Sequence, residues 1–215
     1  MLRDVVSNDW YVIFCLASLV IVVLAKTIHP QRFSAFLKLF GNTNYLRIYL
    51  REHSFFDRFD SLLFINFCVN LIVFGWMGYQ HIFEPLDMSL LLFSQLFAFV
   101  SLGFLLKIGL ELFLGYVLDL SKLFNILTFQ QISSYNFIGL ILLPLNAFNV
   151  FGVNSAPFFS VLTSIFILLI LLAGMTKTIR SNLNMLLNNF FYFILYLCTL
   201  EIGPFYVLFK VLNRD

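Results

Sequence analysis

The apolar positions fall in long runs, at roughly 9–26, 60–81, 88–110, 136–151, 158–176 and 189–210. Stretches such as "VLTSIFILLILLAG" are apolar on every side rather than along one stripe. About 17 to 25 such residues, coiled as helix, cover roughly 30 Å of hydrocarbon. Helix is also the one open-ended structure that satisfies the backbone there. A transmembrane barrel would alternate polar and apolar residues over about ten positions, which these runs do not do. The pattern predicts an all-α, polytopic membrane bundle of about six spans. No linker divides the chain and no internal repeat stands out, so residues 1–215 read as a single membrane domain.

The connector between the first two runs is of another kind. "PQRFSAFLKLF" opens with a proline suited to a helix start and interleaves Phe33, Phe36, Leu37 and Phe40 with Arg32 and Lys38. "NYLRIYLRE" sets Leu46 and Leu50 on one face and Arg47 and Arg51 on a neighbouring one. Both read as basic amphipathic helices lying on the inner membrane surface over residues 30–58, where anionic lipid headgroups are natural partners. Ser54 followed by Asp57 then resembles a capping box opening the second span.

Composition supports the bilayer as solvent. The 215 residues are 61% hydrophobic and 11% charged, against about a quarter charged in an ordinary soluble domain. A net charge of +2, with the basic residues scattered over connectors, offers no nucleic-acid footprint. Cys15, Cys68 and Cys198 fall singly inside predicted spans, without the spacing of a zinc site or a disulfide framework. They read as small apolar core residues.

Lysine and arginine placement orients the bundle, because cytoplasmic loops carry the basic excess. Asp4 and Asp9 outweigh Arg3 before the first run, while Lys26 and Arg32 follow it. That order predicts a retained helix with a periplasmic N-terminus rather than a signal peptide. The inner side then collects Lys26, Arg32, Lys38, Arg47, Arg51, Arg58, Lys107, Lys122, Lys177 and Arg180, which is 10 of the 13 basic residues. The outer turns "HIFEPLD" and "GVNSAP" carry none. Six crossings would leave the C-terminus outside, and a re-entrant last segment would return it.

Polar groups within the runs are the candidates for function. Glu201 lies about 12 residues into its run, and Gly203 and Pro204 loosen the helix beside it. An acid at such depth is either protonated and hydrogen-bonded, or paired with a cation such as Lys107, or engaged in proton, ion or cation handling. Lys107 and Glu111, four apart, are spaced to pair near the cytoplasmic end of the third run, with Lys107 reaching toward the interface. Beyond them the helix is expected to continue amphipathically through "LFLGYVLDLSK". Asn66 and Asn70 form another i, i+4 pair, suited to joining helices by hydrogen bonds. The short fourth run contains "LLPLNAFN", where Asn146 or Asn149 is placed to satisfy a carbonyl freed by Pro144.

Other chemistry has no recognisable signature. His29, His53 and His81 are dispersed, and His81 with Glu84 reads as a solvated loop pair. No G-x-S-x-G, P-loop or haem-attachment motif is present, and no cofactor is implied. "EHSFFDRFD" is the nearest approach to the polar cluster of a lipid-processing enzyme.

The C-terminal stretch "FYFILYLCTLEIGPFYVLFKVL", with Cys198, Glu201, Ile202, Pro204 and Lys210, resembles a family of uncharacterised polytopic inner-membrane proteins of the Bacteroidota. The resemblance covers nearly the whole chain and implies a location, the cytoplasmic membrane of a diderm bacterium, but no activity. The leading expectation is a non-enzymatic subunit or scaffold of a cell-envelope membrane complex, with other membrane proteins as partners. A small transporter or proton/ion-translocating protein centred on Glu201 is the alternative, and a lipid-processing enzyme the third.

Overall fold

A computed structural model of the chain describes residues 9–38, 57–82, 89–151, 157–181 and 210. Among the described residues the fold is all-helical: α1 (Asp9–Ile28), α2 (Pro30–Leu37), α3 (Arg58–Ile82), α4 (Leu90–Val117), α5 (Ser121–Phe151) and α6 (Pro157–Ser181). Stretches of α1, α3, α4 and α5 are long and apolar enough to cross a membrane, and α6 contains a shorter apolar stretch, Ser160–Gly174. The expected last span, 189–210, lies outside the described residues except for Lys210, as does the expected second amphipathic helix with Arg47 and Arg51.

Local chemistry explains the boundaries. Pro30 has no N–H to continue α1, so the chain breaks at His29 and restarts with proline in the first turn of α2. The Ser89 hydroxyl caps α4 by accepting from the Leu92 N–H at 3.2 Å. At the other end of α4 the chain reverses in three residues. Asp119 takes a left-handed conformation (φ 57°), tolerated by its short polar side chain, and the Leu120 N–H returns to the Gly115 carbonyl at 2.9 Å. A Cβ on Gly115 would stand 2.6 Å from Phe124 Cβ, so glycine is what lets α4 and α5 close into this hairpin.

Two elements differ from the sequence reading. The third run does not continue through residue 122; it ends at Val117, because the Asp119 turn starts a new helix at Ser121. The short fourth run is the second half of the 31-residue α5, whose first half, Ser121–Tyr135, is polar enough to escape a count of apolar residues yet fully helical. Pro144 sits inside α5 without ending it.

α3 and α5 form the centre. In their most apolar 18-residue windows, 61% and 67% of residues are buried, against 17% and 11% in α1 and α4. The central pair runs parallel at a constant offset: Asn136 reaches the Asp60 carbonyl and Asn146 the Asn70 carbonyl, each 76 residues apart. Between these bonds Gly139 lies on Phe67, where a Cβ would meet the Phe67 Cα at 2.5 Å. α1 runs antiparallel to α3, tied by Tyr11 to Gln80 at 3.0 Å near one end. α4 and α6 flank α5, each antiparallel to it.

Among the described residues, three apolar clusters fill the interior. Ala25, Phe33, Phe36, Phe59, Leu63 and Phe129 pack at the α2 end. Phe64, Phe67, Cys68, Tyr135, Ile138 and Leu142 form the middle, and Phe14, Val69, Val73, Trp76 and Met77 the opposite end. Rings bridge the helices. Phe104 of α4 meets Phe67 of α3 and Tyr135 of α5 edge-on, at 5.2 and 5.1 Å between centroids. Cys68 is a fully buried member of this core, Cys15 is half-buried, and Cys198 lies outside the described residues.

Candidate functional site

Among the described residues, three polar assemblies interrupt this apolar interior. The first is halfway along α1 and α3. The Ser18 hydroxyl donates to Asn66 Oδ1, and Asn70 Nδ2 donates to Ser18 Oγ at 2.6 Å, to the Asn66 carbonyl at 2.9 Å and to Asn66 Oδ1 at 3.1 Å. From α5, Asn146 Nδ2 donates to the Asn70 carbonyl at 2.9 Å and to Asn70 Oδ1 at 3.3 Å. All four residues are buried. Asn66 and Asn70 thus stand together on one face, joined to two further helices. Asn146 does not turn back on the carbonyl beside Pro144; it crosses to α3. Asn149 crosses the other way, donating to Ser160 Oγ of α6 at 3.3 Å.

The second assembly joins α2 to α3. Arg32 Nη1 meets Asp57 Oδ2 at 2.7 Å, and Nη2 meets Asp60 Oδ2 at 2.6 Å. The guanidinium also lies over the Phe59 ring, 4.9 Å from its centroid. Arg32 is 6% exposed, so this residue of the amphipathic helix is turned into the bundle, between two carboxylates. The cause is the packing of α2: Phe33 and Phe36 are buried beside Phe59, and their burial carries Arg32 inward with them. Lys38, one residue past α2, is exposed. Asp57 directly precedes α3; its carbonyl accepts from the Ser61 N–H, while its carboxylate is engaged by Arg32. Ser54 lies outside the described residues.

The third assembly lies between α4 and α5. Lys107 Nζ is 3.8 Å from Glu111 Oε1 and donates to the Tyr135 hydroxyl at 3.0 Å. Glu111, fully buried, also accepts from Thr128 Oγ1 at 3.0 Å. The spaced pair is therefore brought together, and Lys107 leans onto the neighbouring helix rather than reaching outward. Such a pair, held between helices with a hydroxyl on each member, is arranged to keep two charges compensated in a medium that solvates neither well.

Glu201, Pro204, Arg47 and Arg51 lie outside the described residues. Among the described residues, no group of three or more His, Cys, Asp and Glu side chains is arranged to hold a metal ion. The partners that sequence spacing did not supply are Ser18, Asp60, Thr128, Tyr135 and Asn136. For Asn136 a signal is present in its spacing from Gly139 and Asn146. On α5, Asn136, Gly139, Leu143 and Asn146 fall on one stripe.

Comparison with curated proteins and with solved structures finds no match. A family model matches residues 11–212, almost the entire chain. The protein therefore belongs to the family described as Domain of unknown function (DUF4271).

Proposed function

We propose that the protein is a non-enzymatic, multi-pass membrane protein acting as a subunit or scaffold of a cell-envelope complex. Its place would be the bacterial cytoplasmic membrane, with the N-terminus periplasmic and, following the sequence resemblance, a Bacteroidota host. The observation that carries this reading is how the interior polar groups are used. Buried Arg32, Asp60 and Glu111 each have an opposite charge within 4 Å, and the buried amides cross-link α1, α3, α5 and α6. A bundle so tied holds its shape, while the broad apolar flanks of α4 and α6 face outward, as at Phe99, Phe113, Tyr116, Phe158 and Val161. Those flanks suit lipid and partner helices alike. Affinity purification in mild detergent tests the reading: stoichiometric partner proteins are expected, and a reproducibly solitary chain that still restores function to a deletion strain would overturn it.

A second reading, a small transporter or proton/ion-translocating protein, is favoured by Glu111, because ionisable groups within apolar helices mark charge pathways. Glu201 is the other acid this reading would use. Glu111→Gln and Glu201→Gln in reconstituted vesicles separate the two ideas: loss of proton or ion flux in a correctly folded variant supports translocation, and unchanged flux removes it.

A further inference from the structure

The amide cluster at the middle of the bundle is a chain with two open ends. Asn146 Nδ2 donates to Asn70 Oδ1, and Asn70 Nδ2 donates to Asn66 Oδ1, so the three amides run head to tail and polarise one another. Such a chain must finish with a spare donor at one end and a spare acceptor at the other. Those atoms are Asn66 Nδ2 and Asn146 Oδ1, and among the described residues neither has a partner, although both residues are 0% exposed. Ser18 does not close the chain, because its hydroxyl is spent on Asn66 Oδ1 while its oxygen receives Asn70 Nδ2.

From these open ends we infer that the Asn66–Asn70–Asn146 chain is an internal binding site for water, one molecule accepting from Asn66 Nδ2 and one donating to Asn146 Oδ1. The chemistry selects the ligand. A cation would suit the Asn146 oxygen but be repelled by the Asn66 N–H, and an anion the reverse; a molecule that both donates and accepts, and is small enough for a close-packed interior, serves at either end. A buried amide left open forfeits about 1–3 kcal/mol, which a hydrogen-bonded water recovers for less than about 2 kcal/mol of lost freedom. The site goes beyond the scaffold reading, since it makes the centre of an apolar bundle locally wet.

The test is magnetisation transfer from water to the side-chain amides of ¹⁵N-asparagine-labelled protein in deuterated detergent. The Asn66 Nδ2 hydrogens are expected to show a cross-peak at the water frequency. The same peak is expected in Ser18→Ala, where transfer relayed through the exchanging hydroxyl is impossible. No peak in the native protein, or loss of the peak in folded Ser18→Ala, overturns the assignment. If Ser18→Ala does not fold, an experimental map showing ordered water decides the matter: density within hydrogen-bonding distance of Asn66 Nδ2 supports the site, and its absence sinks it.

Discussion

Asn146 of α5 places its amide nitrogen 2.9 Å from the backbone carbonyl of Asn70, so the parallel central helices are joined, midway along α3, through a main-chain group. That carbonyl cannot move without moving α3 itself. The contact therefore sets the register of the pair as well as adding to its stability.

Asn70 makes more of the cluster's bonds than any other member, and Asn70→Leu removes its donations to Ser18 and Asn66 together. Interhelical bonds of this kind are worth about 0.6 to 2 kcal/mol each. Unfolding in mixed micelles should show Asn70→Leu destabilised by about 1–3 kcal/mol. In a double-mutant cycle with Asn146→Leu the two losses should fail to add, because the residues share a bond.

Arg32→Ala leaves the carboxylates of Asp57 and Asp60 without the guanidinium that separates them. Removing one partner of a buried ion pair costs about 3–5 kcal/mol, so this should be among the most damaging single changes. Arg32→Lys should rescue it only in part, since an ammonium lacks the fork that meets two carboxylates at once. Pairing Arg32→Met with Asp60→Leu should recover stability relative to Arg32→Ala, as read by the same unfolding assay.

Gly139→Ala drives a Cβ into the Phe67 backbone, and helix backbones cannot rotate out of the way as a side chain can. A loss of about 1–3 kcal/mol is expected, together with weaker protection of α3 and α5 in hydrogen exchange. Gly103→Ala is the matched control: nothing lies within 4 Å of its added Cβ, and stability should hold or rise by up to about 1 kcal/mol, since glycine disfavours a helix interior.

Lys107→Met strips the cation from Glu111, a fully buried acid, whereas Glu111→Gln leaves an amide that still accepts from Thr128. Lys107→Met should therefore be the more destabilising, by about 1–3 kcal/mol. Adding Glu111→Gln to it should restore part of the loss. Strict additivity in thermal unfolding of the three variants would show that the pair is not coupled.

The helical bundle was legible because apolar runs as long as residues 60–81 are long enough, coiled as helix, to cross a bilayer. Helicity as such was not legible in Ser121–Tyr135, where Thr128, Gln130, Ser133 and Ser134 look like loop residues yet are buried by α3, α4 and α6. The polar pairs divide in the same way. Asn66 with Asn70, and Lys107 with Glu111, were visible because one helix fixes their geometry. Arg32 with Asp57 and Asp60 was not, since 25 and 28 residues separate them and only the docking of α2 closes the gap. Amphipathic spacing placed Arg32 beside apolar residues but carried no sign of the two carboxylates that its guanidinium meets.

The parallel pairing of α3 with α5 has a consequence for biogenesis. Asn70 leaves the ribosome 76 residues ahead of Asn146, an interval of about 4 to 15 s at elongation rates of about 5–20 residues per second. Ser18 has already been made by then. The nascent α1–α3 hairpin can thus shelter its amides early, while the seam that welcomes α5 stays open until α4 has threaded back. Cysteine crosslinking on stalled chains should capture α1 against α3 before α5 is translated. If it does not, the insertion machinery rather than α1 must chaperone those amides.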